Sequence, residues 1–164
     1  MRILGLDCGL KTGWCIFEKG KVVESGVEDF KPRRGSSNGM LFLEYRRWLS
    51  MIMLPKPGQE TKKKAFDLIV YEQSHMRGAA PTELQVNMTG RVQEIAAGMK
   101  IDFVPVHTAT LKKSATDKGK ASKEDMKKAA SRILGRVCES DDEADAVLLA
   151  QYGWDEYACT DPAE

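Results

Sequence analysis

Long hydrophobic runs are missing from this sequence, and no apolar stretch approaches the roughly 18 residues that a membrane-spanning helix needs. Cysteine is scarce, and none of the four cysteines forms a CxxC pair, which disfavours a structural zinc site or a disulfide framework. Cys8 and Cys15 stand among apolar residues, a setting typical of buried free thiols in a reducing compartment. The chain begins directly with a strand-like segment, which leaves no room for a signal peptide. We therefore expect a soluble, cytoplasmic protein without membrane contact.

Basic residues are absent from the end of the chain. Residues 138–164 carry nine acidic residues and no Lys or Arg, whereas residues 100–137 carry ten basic residues against four acidic ones. This asymmetry is hidden by a formal net charge of +1. A basic surface beside an acidic cluster suits an enzyme that grips phosphates and holds a divalent metal, although any single lysine is more often simply solvated. With 164 residues, we expect residues 1–164 to form a single domain.

The apolar patterns predict an α/β domain in the order βββ–α–β–α–β–α–α. Three short strands come first, with turns at Gly9–Gly13 and Lys19–Gly20. The later elements are a helix from about Met40 that Pro55 ends, a strand at Phe66–Tyr71, a helix capped by Thr82, a strand at Ile101–Val106, and helices starting near Lys123 and Ser140. The stretch between Thr108 and Lys123 reads as a polar, basic loop. A sheet that opens with hairpins and has helices on both faces is the expected architecture.

Four carboxylates fall where such a fold would bring them together. Asp7 ends the first strand before a glycine turn, Glu72 ends the fourth strand, and Asp142 and Asp145 share one face at the start of the last helix. Carboxylates gathered from two strand ends and a helix start are what a two-metal phosphodiesterase needs. Mg²⁺ prefers such oxygen ligands. We therefore predict a site for two Mg²⁺ ions, with Mn²⁺ as a substitute.

Each of these acids also has a simpler interpretation. Asp7 alone fits a turn residue. The acidic start of the last helix fits charge that favours the helix dipole, which accounts well for Asp141 and Glu143. Asp141 also lies four residues before Asp145 and competes with Asp142 as a ligand.

The order and spacing of these motifs resemble the RuvC-type Holliday junction resolvases of the RNase H-like superfamily. The opening Ile3–Gly9 with Thr12-Gly13 resembles their apolar run, D-x-G and T-G, and Tyr71-Glu72-Gln73 resembles their second catalytic position. The run Lys118–Lys123 resembles their basic G-x-G-x-A-x-K stretch, and Asp142–Ala150 resembles their closing D-x-x-D-A helix. The resemblance covers nearly the whole chain. It departs at Asp117, where the family has glycine, and at residues 31–38 and 55–64, which match nothing in the pattern.

The resemblance implies an RNase H-like fold: a central mixed five-stranded sheet, with its first three strands antiparallel, flanked by helices on both faces. It also implies a homodimer that nicks four-way junctions in pairs with Mg²⁺, and it makes Asp7, Glu72, Asp142 and Asp145 the metal ligands. The spacing to the apolar stripe after Asp145 favours Asp142 over Asp141. The compact length and the departures suggest a phage-encoded relative that works in the cytoplasm of its bacterial host.

Basic residues near the last two helices are candidates for DNA contact. By the resemblance, Lys112 and Lys123 contact phosphates near the scissile bond, with Lys118 and Lys120 supporting them. Such contacts give affinity that falls with salt and carries no sequence information. Arg77 is a weaker candidate.

The loop Ser74–Pro81 is either a plain connection or, through His75 or Met76, a wedge at the junction centre. His107 is a minor catalytic candidate. Trp14, Trp48 and Trp154 are expected to pack in or beside the core.

Two other functions compete with the junction resolvase. Another nuclease of the same fold, acting on RNA–DNA hybrids or structured RNA, would share the metal chemistry. An actin-like ATPase or sugar kinase also uses D-x-G after a first strand, but it needs two such lobes and a far longer chain. The second phosphate loop that such an ATPase requires is missing from the sequence.

Overall fold

The computed structural model describes residues 1–32, 34–54, 64–74 and 78–158. These ranges contain five strands and five helices. The strands are β1 (Arg2–Asp7), β2 (Lys11–Glu18), β3 (Lys21–Asp29), β4 (Leu68–Glu72) and β5 (Asp102–Val106). The helices are α1 (Asn38–Met53), α2 (Ala79–Gly98), α3 (Thr108–Thr116), α4 (Lys123–Leu134) and α5 (Asp141–Tyr157).

The five strands form one mixed sheet in the order β3-β2-β1-β4-β5. β1, β2 and β3 are antiparallel neighbours, whereas β4 runs parallel to both β1 and β5. Leu6 pairs with Tyr71, so the last residues of β1 and β4 lie side by side at one edge of the sheet. Those last residues are Asp7 and Glu72. The predicted sheet, including its antiparallel first three strands, is confirmed.

Both faces of the sheet are covered by helices, as predicted. Alternate residues of β1 point in opposite directions, so Ile3 packs with residues of α4 and α5, whereas Leu4 packs with residues of α1 and α2. The three tryptophans divide in the same way and pack against these two clusters as expected, Trp154 on the α5 face and Trp14 and Trp48 on the other. The three central strands β1, β2 and β4 are therefore largely buried between two layers of helices.

Helix α5 lies unusually close to the sheet because two glycines leave space for its backbone. A Cβ atom on Gly13 would lie 1.8 Å from the carbonyl oxygen of Asp142, and one on Gly5 would lie 2.2 Å from that of Ala146. Gly13 is also the residue that pairs with Asp7 across β1 and β2. The glycines thus bring the first turn of α5 to the end of β1.

Three predicted boundaries were wrong. The stretch after Thr108 is not a loop but begins the nine-residue helix α3, whose only fully buried residue, Leu111, gives no apolar periodicity. Thr82 is not a helix cap: α2 begins at Ala79, and the N–H of Thr82 donates to the carbonyl of Gly78. The first turn is shorter than predicted, because β2 already begins at Lys11.

The expectation of buried free thiols is confirmed for Cys8 and Cys15. Cys138 is also buried and free, and Cys159 lies outside the described residues. Among the helices of the described ranges, not one combines the length and the apolar character that crossing a bilayer requires.

Candidate metal centre

Three of the four predicted carboxylates converge at the edge of the sheet. Asp7 comes from the end of β1, Glu72 from the end of β4 and Asp145 from α5, and one oxygen atom of each lies within 4.8 Å of the others. Asp142 is not part of this group at that distance, but it lines the same cleft. The cleft has a volume of about 380 Å³ and lies open to solvent. The predicted convergence is therefore present in the fold for Asp7, Glu72 and Asp145.

The electrostatics of this cluster disfavour its full ionisation. Burial, followed by the charges of Asp145 and Glu72, raises the pKa of Asp7 well above its ordinary value. Burial and the charge of Glu72 raise the pKa of Asp145 to about 7. Burial also raises the pKa of Asp142, with the nearby charge of Lys11 acting in the opposite direction. Like charges at this spacing are unfavourable unless a cation neutralises them.

The donor set fits a hard divalent cation. The converging group offers carboxylate oxygens alone, which are the ligands that Mg²⁺ and Mn²⁺ prefer. Glu72 is 7% exposed, and the Thr108 hydroxyl donates a hydrogen bond to its Oε1. Cys8 also borders the cleft, but its Sγ accepts a hydrogen bond from the buried Tyr45 hydroxyl at 3.3 Å. The carboxylates are thus the natural ligands of this cleft.

The turn after Asp7 is fixed by Thr12. This residue is fully buried, and its Oγ1 donates to the carbonyl of Gly9 at 2.7 Å. In the same turn, the carbonyl of Leu10 accepts a hydrogen bond from the backbone N–H of Phe30, also at 2.7 Å. The Thr-Gly pair of the sequence motif therefore has two structural tasks. Thr12 closes the turn behind Asp7, and Gly13 admits α5.

Asp141 and Asp142 differ in their partners, although both line the cleft. The Nζ of Lys123 lies 2.8 Å from Asp141 Oδ2, and the Nζ of Lys127 lies 3.6 Å from Asp141 Oδ1. The hydrogen bond from Lys123 is the main cause that lowers the pKa of Asp141. Asp141 is therefore paired with lysines, whereas Lys11 is the positive charge that most strongly lowers the pKa of Asp142.

The predicted basic residues divide into two groups. Lys112 and Lys123 line the cleft beside the carboxylates. Lys118 borders a separate groove between α3 and α4, and Lys120 is exposed. Arg77, His75 and Met76 lie outside the described residues. His107 is exposed and directly precedes α3; the cleft lining does not include it.

Sequence reasoning missed two kinds of residue. Lys11, Gln85 and Thr108 line the cleft without having been predicted. For Lys11 a signal existed, because it follows the glycine turn directly after Asp7.

Glu143 was interpreted only as a charge that favours the helix dipole, and this interpretation is insufficient. Its side chain is buried, and Oε1 accepts hydrogen bonds from the Ser25 hydroxyl at 2.6 Å and from the Arg136 guanidinium. Burial alone would raise the pKa of Glu143, but these hydrogen bonds outweigh it and hold that pKa below its ordinary value.

Comparison with known proteins gives a fold but no sequence relative. No protein-family model matches the chain, and no curated protein sequence matches it significantly. Among solved structures, Thermus thermophilus RuvC matches with a TM-score of 0.72 and 16% identity over 92% of both chains. A structure of T. thermophilus RuvC in complex with a Holliday junction substrate matches with a TM-score of 0.72 and 17% identity, over 92% of this chain and 91% of that one. The resemblance seen in the motifs is thus confirmed at the level of the fold: this chain has a RuvC-like, RNase H-like α/β fold.

Proposed function

We propose that the chain is a Mg²⁺-dependent, structure-selective endodeoxyribonuclease that resolves Holliday junctions and other branched DNA by paired nicking. The observation that carries the proposal is the convergence of Asp7, Glu72 and Asp145 in a cleft lined by lysines. The fold supports it, because a RuvC of the same fold has been solved with a junction substrate. Carboxylates beside cations are the combination that phosphodiester hydrolysis requires.

Asp7, Glu72 and Asp145, with Asp142 as the fourth ligand, would hold two Mg²⁺ ions, and Mn²⁺ would substitute. Asp142 is preferred over Asp141 because Lys123 and Lys127 already engage Asp141. When bound, the two metals supply an activated water for attack and stabilise the leaving 3′ oxygen.

The lysines of the cleft would bind the DNA backbone. Lys112 and Lys123, which the resemblance implied, are joined by Lys11, so cations come from the start of β2, from α3 and from the start of α4. Lys123 contacts Asp141 in the free protein, and it would exchange this carboxylate for a phosphate. Lys118 and Lys120 would support the DNA farther from the cleft, and Arg77 remains a predicted contact.

Paired nicking requires two active sites that act on one junction. We therefore propose a homodimer in which each copy contributes one cleft. The size of the complex formed with a four-way junction tests this part separately from the chemistry.

The chemistry is tested with Asp7→Asn and Glu72→Gln, which keep the shape of each side chain but remove a charge. Cleavage of a labelled four-way junction in Mg²⁺ should fall by at least about 100-fold, because even residues that only support a metal site cost up to that much when replaced. Junction binding in a gel-shift assay should persist, since the lysines are untouched. Asp102→Asn is the matched control, because Asp102 is an exposed residue at the start of β5. This variant should cleave the junction at the wild-type rate.

The same assay separates the proposed activity from its rival on the same fold. Four-way junctions, flaps and RNA–DNA hybrids are offered side by side at equal concentration. A chain that cuts only the hybrid is not a junction resolvase. Full cleavage by either Asp7→Asn or Glu72→Gln would contradict the assigned ligands.

A further inference from the structure

Glu143 lies between two proposed metal ligands in sequence, yet its side chain points away from the cleft. An α-helix turns about 100° per residue, so Glu143 is displaced by about 100° from Asp142 and about 200° from Asp145 around the axis of α5. Its side chain is 10% exposed, whereas exposed Glu residues at a helix start are usually solvated. A buried carboxylate is unfavourable unless hydrogen bonds satisfy it.

Both oxygen atoms of Glu143 have partners. Oε1 accepts from the hydroxyl of Ser25 in β3 and from the guanidinium of Arg136, which follows α4. Oε2 accepts from the Sγ of Cys138 at 3.6 Å. The first turn of α5 is thereby tied on one side to the sheet and on the other to the segment that leads into the helix.

These contacts restrain the rotation of α5 about its own axis. Close packing at Gly13 fixes how near the first turn lies to the sheet, but a backbone contact alone does not fix the direction of the side chains. The hydrogen bonds of Glu143, on the side of α5 opposite Asp145, fix that direction. Any rotation of the helix that breaks them also moves Asp142 and Asp145.

We propose that Glu143 is a positioning residue for the metal centre, and that Ser25 and Arg136 act on the proposed ligands through it. The role rests on the metal site of the proposed function. It does not depend on which nucleic acid is cut, because the contacts of Glu143 concern only how the carboxylates are held.

The test measures Mn²⁺ binding to the DNA-free full-length protein by isothermal titration calorimetry. Ser25→Ala is the key variant, since it removes one hydrogen bond to Glu143 without changing any charge. Its matched control is Ser37→Ala, which removes the hydrogen bond that caps α1, on the other face of the sheet. Glu143→Ala and Glu143→Gln complete the series, and the thermal midpoint is recorded for each variant.

Residues that orient metal ligands typically contribute 10- to 100-fold to metal affinity. We expect Glu143→Ala to raise the Mn²⁺ dissociation constant by about tenfold, Ser25→Ala by about threefold, and Glu143→Gln by an intermediate factor. The double variant Ser25→Ala/Glu143→Ala should bind Mn²⁺ no more weakly than Glu143→Ala alone, because both changes break the same contact. Ser37→Ala should lower the thermal midpoint without changing the dissociation constant.

Two results would overturn the positioning role. The first is a lower thermal midpoint with unchanged Mn²⁺ affinity in Ser25→Ala and Glu143→Gln, which shows a merely structural contact. The second is equal weakening in Glu143→Gln and Glu143→Ala with no effect of Ser25→Ala, which shows that only the charge matters. Should the wild-type chain bind Mn²⁺ but cut no branched DNA, the proposed function fails while this test still decides the role of Glu143. Wild-type protein that binds no Mn²⁺ would contradict both.

Discussion

The ionised form of Asp145 destabilises the metal-free folded protein, because this carboxylate is buried beside other carboxylates. Asp145 has an ordinary pKa of about 3.9 in an unfolded chain. Burial and the charge of Glu72 raise its pKa to about 7 in the folded chain. Between these values the folded protein keeps a proton on Asp145 that the unfolded protein has lost. The contribution of Asp145 to the free energy of unfolding of the metal-free protein therefore falls as the pH rises from about 4 to about 7.

This linkage predicts an unusual gain in stability from Asp145→Asn. In EDTA at pH 8, the variant should be more stable than the wild type, by at most about 4 kcal/mol at about 1.4 kcal/mol per unit of pKa. At pH 4 the two should be nearly equal, because Asp145 is then protonated in the folded wild type and already about half protonated in its unfolded state. Urea unfolding across this pH range measures the difference.

Addition of Mn²⁺ at pH 8 is the control for the same experiment. A bound cation should stabilise the folded wild type, whose carboxylate cluster is ionised, more than the variant, in which one ligand is missing. The advantage of Asp145→Asn should then shrink or reverse. Parallel stability curves for the two proteins from pH 4 to 8 would contradict the raised pKa.

At the level of elements, the site depends on how closely α5 approaches β1 and β2. Gly13→Ala tests this contact, because the added methyl group would collide with the carbonyl oxygen and carbon of Asp142 at 1.8 and 2.3 Å. The helix must then move, which should lower the free energy of unfolding by roughly 1–3 kcal/mol and weaken Mn²⁺ binding.

The matched control for Gly13→Ala is Gly90→Ala in α2, where an added methyl group meets nothing within 4 Å. Alanine there should stabilise the helix by roughly 1 kcal/mol and leave the metal site unchanged. Denaturant midpoints and Mn²⁺ titrations of both variants measure the two effects. Equal stability of Gly13→Ala and the wild type would show that the close approach is not required.

The elements also show which parts of the fold the sequence could predict. Strands β1 and β4 were predictable because they are buried on both faces and read as apolar runs, and so Asp7 and Glu72 could be placed at their ends. Helix α3 was not predictable, since it buries little more than Leu111 and is otherwise polar. The start of α2 was missed because Gly78 precedes it without a side-chain cap.

Long-range contacts account for the rest of what sequence reasoning missed. Glu143 and Ser25 are 118 residues apart, and nothing in a local pattern relates them. Lys11 was visible beside the glycine turn, but only the fold brings it into one cleft with Lys112 and Lys123. A motif can therefore give the ligands of a site more readily than the residues that surround and orient them.

At the scale of the whole molecule, acidic and basic side chains meet in one cleft, although the formal net charge is only +1. The carboxylates of the cleft come from β1, β4 and α5, and the lysines that border them come from the start of β2, from α3 and from α4. Under the proposed function, a phosphate backbone would contact these lysines while the neighbouring carboxylates would hold the metal ions. Because these lysines and carboxylates adjoin, the proposed DNA binding would compete with ion pairs inside the protein, above all with the pair of Lys123 and Asp141.

The salt dependence of junction binding tests this arrangement. Each lysine that neutralises one phosphate contributes about 0.9 to the slope of log affinity against log salt. Lys11→Ala should lose roughly this amount. Lys123→Ala should lose less, because Lys123 gives up its 2.8 Å contact with Asp141 before it can bind DNA. Lys21→Ala, at the start of β3 near the opposite end of the sheet, should keep the wild-type slope.

Gel-shift titrations from 50 to 300 mM KCl, with Ca²⁺ in place of Mg²⁺ to prevent cutting, give the four slopes. The variant Asp141→Asn adds a sharper comparison, because it removes the charge that pairs with Lys123. Adding Lys123→Ala to Asp141→Asn should therefore reduce the salt slope more than Lys123→Ala reduces it in the wild type. If all three lysine variants share the wild-type slope, the cleft lysines are solvated side chains and the DNA lies elsewhere on the molecule. If Lys11→Ala is the only variant with a smaller slope than the wild type, the DNA contacts the start of β2 while Lys123 stays paired with Asp141. A lysine that never leaves its carboxylate releases no counterion from the DNA.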